Sequence, residues 1–207
     1  MEAPKANQPV PSGLDMGSVG PSNSSISTPS PAVAGPRVVL IGPMGAGKTA
    51  VGRTLAGLWQ VPFFDTDQAI GQSSGQSVAE FFATLGEVAF RATERDTIEH
   101  GLSTQTGVMA LGGGALTTPA VFTLIEKYSS LGGQVVYLEV SPDQALARIE
   151  DTALRPMLGR CPANAAQRWR DLMAARQPAY EAVATLSIDT NHLSPKQVAL
   201  QIDQSIG

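Results

Sequence analysis

Gly42-Pro43-Met44-Gly45-Ala46-Gly47-Lys48-Thr49 follows an all-apolar run, Val38-Val39-Leu40-Ile41, and precedes a stretch from Thr49 to Trp59 with helical spacing of its apolar residues. The octet fits G-x-x-x-x-G-K-[ST], and a turn of that composition between a strand and a helix is a phosphate cradle. Glycines at 42, 45 and 47 let the backbone wrap closely and aim N–H groups at phosphate oxygens, assisted by the helix N-terminus. Lys48 then reaches the β and γ phosphates, and the Thr49 hydroxyl is a ligand for Mg²⁺, an ion that prefers oxygen donors and keeps several waters. A nucleoside triphosphate site follows; its acceptor does not.

Outward from the cradle, short apolar runs alternate with helical patterns, which is the grammar of strand-helix-strand units around a parallel sheet. Strands are predicted at 37–41, 61–64, 108–111, 134–140 and 186–188. Helices are predicted at 49–59, at 78–103 with a break at Gly86, and around 119–129, 142–150, 165–182 and 194–205. The fold class is α/β, in three layers.

The 207 residues, 43% apolar and 15% charged, suit one compact domain. Fourteen basic against 18 acidic side chains give a net charge of −4, with pI near 5.1. The basic field that nucleic acid or an anionic membrane surface requires is lacking. A lone cysteine, Cys161, makes no internal disulfide, and no apolar run reaches the length of a spanning helix, so a cytoplasmic enzyme is expected. Residues 1–36 hold seven Pro, seven Ser and four Gly and no periodic apolar pattern. They read as a disordered tail ahead of a domain at 37–207. A transit peptide is the competing reading of the tail, opposed by its lack of Arg.

Several further motifs bear on the acceptor. Phe63-Phe64-Asp65-Thr66-Asp67 ends an apolar run with two carboxylates two residues apart, which in extended chain point to one side. One suits a metal and the other a hydroxyl, unless one merely caps a helix from Gln68 onward. Arg91 and Glu94 lie one helical turn apart, so the acid can hold the guanidinium for an anion, or the two form an ordinary surface salt bridge. Gly112-Gly113-Gly114 exposes bare backbone against which a ligand can lie, as would a merely flexible loop. Arg155-Pro156-Met157-Leu158, among small and turn-forming residues at 151–165, reads as a flap with one positive tip. Arg148 precedes it on a helix, while Arg168, Arg170 and Arg176 are compatible with solvated helix faces.

Taken together and in this order, the cradle, Asp65-Thr66-Asp67, Phe90-Arg91-x-x-Glu94, Gly112-Gly113-Gly114-Ala115, Arg155-Pro156-x-Leu158 and Ala174-x-Arg176-x-Pro178-x-Tyr180 closely resemble shikimate kinase, from about Val38 to Asn191. The first motif is widespread; the combination is much more specific. The resemblance implies a nucleoside-monophosphate-kinase-like P-loop fold with a five-stranded parallel sheet and a lid at about 151–165. It implies transfer of the γ-phosphate of ATP to the 3-hydroxyl of shikimate, by a monomer with no nucleic-acid or membrane partner. Carried over by motif, ATP contacts fall on Gly45, Ala46, Gly47, Lys48, Thr49, Ala50, Arg148 and Arg155, with the Asn191 region bordering the adenine. Asp67, Arg91, Gly113 and Arg176 take shikimate. Lys48, Asp67 and Arg155 carry the chemistry, and Asp65 supports Mg²⁺ through water beside Thr49.

The residue types agree with that assignment, because a small polyol acid needs acceptors for its hydroxyls and bidentate donors for its carboxylate. Two departures stand out. Ala110 replaces a Ser often found before the glycine turn, which puts one metal-water contact in doubt, and Gln177 replaces a smaller or polar residue. The competing functions are a gluconate or nucleoside-monophosphate kinase, which the paired Arg91 and Arg176 disfavour, and a nucleotide-binding regulatory module that has lost transfer.

Overall fold

The computed structural model describes residues 1, 35–149 and 165–207. The tail at 2–34, most of the expected lid at 151–165, and Arg155 with it, lie outside the described residues. Five strands, β1 (Val38–Ile41), β2 (Phe63–Asp65), β3 (Val108–Ala110), β4 (Val135–Glu139) and β5 (Leu186–Asp189), form one parallel sheet in the order β2-β3-β1-β4-β5. Helices α1 (Lys48–Trp59), α2 (Thr66–Ser74), α3 (Val78–Thr104), α4 (Pro119–Ser130), α5 (Pro142–Arg148), α6 (Ala165–Val183) and α7 (Pro195–Ile206) accompany it, with a 3-10 turn at Ala115–Thr117. The described residues form a three-layer α/β fold.

The central strand explains the choice of a parallel sheet. Val38, Val39, Leu40 and Ile41 are all buried, on both faces, as a strand sandwiched between helix layers requires. Successive connections leave β1 for β2 on one side and cross to β4 on the other. The carboxyl end of β1 is therefore a topological switch point, where open α/β sheets bind ligands.

Strand ends differ from the sequence expectation by one to two residues. Two differences are larger. Helix α2 begins at Thr66, directly after β2, so Asp67 lies in a helical first turn and the extended-chain argument for the two carboxylates fails. Pro36, expected in the tail, is buried, and its carbonyl accepts from the Tyr128 hydroxyl at 2.7 Å. The break at Gly86 is present: φ 80° and ψ 172° interrupt α3 there, after a start capped reciprocally by Ser77 and Glu80.

Candidate active site

The cradle occupies the turn between β1 and α1. Gly42 (φ 137°) and Gly45 (φ 84°) adopt left-handed conformations, and a Cβ on either would meet backbone oxygens of Leu138 or Ala145 at 2.5 and 2.7 Å, so no larger residue fits. Lys48 Nζ donates to the carbonyls of Gly42 and Pro43 at 2.7 and 2.9 Å, which holds the ammonium over the loop. Burial lowers its pKa to about 8 against the pull of Asp67 and Asp65, with Arg176 adding to the depression. Ala46 is buried behind the loop and Ala50 is exposed on α1.

Thr49 Oγ1 donates to Asp65 Oδ2 at 2.7 Å. The other oxygen of Asp65 accepts from the backbone N–H of Asp67 and Gln68, so the capping reading of this pair of acids holds for Asp65, which also faces the threonine. Asp67 is raised above the ordinary carboxylate range by burial, opposed by Lys48, reinforced by Asp65 and opposed again by Arg91. Ala110 ends β3 in register with Asp65 and presents only a methyl group there.

The triple-glycine turn is the meeting place. A Cβ on Gly112 would lie 2.6 Å from Asp67 Oδ1 and 2.9 Å from Glu94 Oε1, and one on Gly114 would lie 2.9 Å from the Arg91 guanidinium. One on Gly113 would approach the Met44 nitrogen of the cradle to 3.1 Å. The Gly113 carbonyl accepts from Arg176 Nη1 at 3.2 Å and from the Tyr180 hydroxyl. Arg91 pairs with Glu94 at 2.6 Å, and since the Glu94 side chain is only 1% exposed this is not a surface pair. Burial pushes Glu94 upward against the attraction of Arg91. Arg176 faces the turn, whereas Arg168 and Arg170 are exposed, as solvated helix faces should be. Gln177 is exposed and bonds Glu181 along the helix.

Lys48, Thr49, Asp65, Asp67, Arg91, Gly113 and Arg176 thus lie close together beyond the carboxyl ends of β1, β2 and β3. Arg148 lies apart from the acceptor group. Its guanidinium donates to the Thr190 hydroxyl at 3.0 Å, to the Thr190 and Asn191 carbonyls and, at 3.5 Å, to Gly45. It therefore brackets the cradle against the loop after β5, where Asn191 Oδ1 accepts from the Ser141 N–H.

Sequence reasoning missed three supporting residues. Thr66, fully buried between the two aspartates, accepts from the Gly112 N–H at 3.0 Å and pins the glycine turn. Thr190, equally buried, donates to Glu139 and Ala46 carbonyls. Tyr180 stands out in the sequence only as the last residue of Ala174-x-Arg176-x-Pro178-x-Tyr180. The signal for Thr66 was its place inside Asp65-Thr66-Asp67; nothing local marked Thr190.

The family model described as Shikimate kinase matches residues 44–207. Shikimate kinase of Mycobacterium tuberculosis (strain ATCC 25177 / H37Ra) is 41% identical over 167 residues, covering 81% of this chain and 91% of its own. The shikimate kinase of Mycobacterium avium (strain 104) is equally similar, with the same coverage. Among solved structures, shikimate kinase from Acinetobacter baumannii in complex with shikimate superposes with a TM-score of 0.76 at 36% identity, covering 84% of this chain and 94% of that one.

Proposed function

The chain belongs to the shikimate kinase family, and from that premise we propose that the residues around the glycine turn carry out phosphorylation of the shikimate 3-hydroxyl by ATP. The observation that supports this most is the convergence on Gly112-Gly113-Gly114 of Asp67 and Glu94, Arg91, Arg176 and, from the other side, the cradle at Met44. An acid with several hydroxyls and a phosphate donor would there share one turn of backbone.

Arg91 and Arg176 clamp the substrate carboxylate, with Glu94 fixing Arg91, and the Gly113 backbone lies against the ring. Asp67 accepts the proton of the 3-hydroxyl as its oxygen bonds to the γ-phosphorus, and the bond from that phosphorus to the bridging oxygen breaks to release ADP. A carboxylate raised by burial and facing Lys48 is suited to that step. Lys48 neutralises charge on the transferring phosphoryl oxygens, and Arg155, placed by sequence alone, is the further cation of the lid. Arg148 and the Asn191 region border the base, while Gly45, Ala46, Gly47, Thr49 and Ala50 hold the phosphates.

Mg²⁺ fits the donors present: a hydroxyl and a carboxylate, 2.7 Å apart, are hard oxygen ligands that leave most of an octahedron to water and phosphate. Thr49 would hold it directly and Asp65 through water. When bound, the ion offsets phosphate charge and orients the triphosphate. The acidic chain supports small molecules rather than nucleic acid as its substrates, and a cytoplasmic monomer is the reading we carry over from the resemblance.

A coupled assay of ADP formation tests this reading. ADP should appear rapidly with shikimate and only slowly with gluconate, a nucleoside monophosphate or no acceptor. Arg91→Lys, which keeps a counter-charge for Glu94 but loses the planar fork, should raise the KM for shikimate about 10- to 100-fold and leave that for ATP within about twofold. Equal activity on gluconate, or equal loss for both substrates, would count against the acceptor assignment.

A further inference from the structure

We propose that Tyr180 is a positioning residue for the acceptor acid, acting through the Gly113 carbonyl that it shares with the Arg176 guanidinium. The inference rests on the reading that Arg176 and Gly113 hold the substrate. Three glycines in succession have no side chains to select one backbone conformation, so the turn takes its shape from bonds made to it by other elements. Thr66 accepts from the Gly112 N–H on one side. On the other, both lone pairs of the Gly113 carbonyl are engaged, one by Arg176 and one by the Tyr180 hydroxyl.

Tyr180 is well suited to that task. It is 2% exposed and stacked on Tyr137 with ring centroids 5.1 Å apart, so its hydroxyl has little freedom to leave the carbonyl. Burial pushes its pKa up to about 12, which keeps the phenol a donor throughout the working pH range. The Arg176 guanidinium donates to the same Gly113 carbonyl. The tyrosine therefore holds the backbone the substrate lies against, at the carbonyl that Arg176, one of the two cations that grip it, also binds. Residues 176 and 180 are one helical turn apart on α6, which places both groups on the same face.

Tyr180→Phe removes the hydroxyl and keeps the ring stack. The variant should raise the KM for shikimate about five- to tenfold, the cost of one buried hydrogen bond, with the KM for ATP within about twofold. Tyr137→Phe, which alters the other phenol of the stack, should leave both constants unchanged. Arg176→Lys, measured in parallel, separates the two inferences. If Arg176→Lys raises the shikimate KM and Tyr180→Phe does not, the positioning role is overturned and the clamp stands. If neither variant moves the shikimate KM, the clamp reading fails and takes this inference with it. If Tyr180→Phe raises both KM values together, or lowers the melting temperature with no selective effect on shikimate, Tyr180 is part of the core only and the inference is overturned.

Discussion

The Asp65 carboxylate joins two helices: one oxygen accepts from Thr49 Oγ1 at 2.7 Å at the start of α1, and the other accepts from Asp67 and Gln68 N–H at the start of α2. Capping and metal support therefore draw on the same group, and they separate by substitution. Asn caps a helix about as well as Asp, so Asp65→Asn should shift the melting temperature by no more than about 2 °C. It removes the charge that faces the ion. The Mg²⁺ concentration for half-maximal activity should rise about tenfold, a modest loss of one charge-assisted contact. An unchanged Mg²⁺ titration, with the melting temperature preserved, would assign Asp65 to capping alone.

Asp67 should show a conflict between stability and turnover. Its folded-state pKa is raised, chiefly by burial, so the proton-bound form is favoured in the fold more than in the unfolded chain. Its contribution to stability is full below the ordinary carboxylate range and is lost as pH rises through the folded-state value. At neutral pH, Asp67→Asn removes that penalty and should raise the melting temperature while lowering turnover roughly 10²- to 10⁴-fold, the usual contribution of a general base. The acid limb of the wild-type pH profile for kcat/KM of shikimate should also lie above the range of an exposed aspartate. Wild-type turnover in the variant would remove Asp67 from the proton transfer.

Lys48 titrates near the working range. With a pKa lowered to about 8, half of the free enzyme has lost the ammonium charge at that pH, and it is the charged form that pairs with phosphate. Affinity for ATP should therefore decline as pH rises through about 8, measured by fluorescence titration or calorimetry, and complex formation above that pH should take up a proton. The same depression makes the stability contribution run the other way: between about 8 and 10.5 the unfolded chain binds the proton more tightly, so the penalty of a buried ammonium fades with rising pH. In Lys48→Met the pH dependence of ATP binding near 8 should vanish, and transfer should fall about 10²- to 10³-fold. A Lys48→Met protein that keeps the wild-type pH profile would refute the assignment.

The parts of this fold that were legible in the sequence are those fixed by local chemistry. Four apolar residues before a glycine-rich turn identify a central strand and its cradle, because only a strand buried on both faces tolerates no polar position. Gly86 announced the break in α3 because its left-handed backbone has no helical continuation. The acceptor side was legible only as a set of residue types. An extended chain would put Asp65 and Asp67 on the same side, whereas their proximity comes from a helix that starts between them and is capped by the first. The contact of Arg176 with Gly113 joins residues 63 positions apart, and nothing on α6 itself distinguishes Arg176 from Arg170. Thr190 owes its role to β4, α5 and the cradle meeting at one point, a long-range fact with no local signature.

The N-terminal edge of the folded domain gives a further prediction. The sequence sets the domain at residue 37, on composition, yet the last two residues ahead of that point are tied to it. Gly35 (φ 133°) passes so close to the Leu102 carbonyl that a Cβ would lie 2.8 Å from it, and the Pro36 carbonyl takes the Tyr128 hydroxyl. Burial raises the Tyr128 pKa to about 12, so the phenol must donate to something when removed from water. Deleting residues 2–34, expected from composition to be a tail, should leave both KM values and the melting temperature unchanged. Extending the deletion through Pro36 leaves the phenol without its acceptor, at a cost of ~1–3 kcal/mol, or a melting temperature lower by on the order of 2–6 °C. Tyr128→Phe in the full chain removes the donor as well as the bond, so it should cost less than the longer deletion. Differential scanning calorimetry of the three proteins decides the matter: two truncations that melt together would show that the Pro36 contact contributes nothing and that the boundary at 37 was adequate.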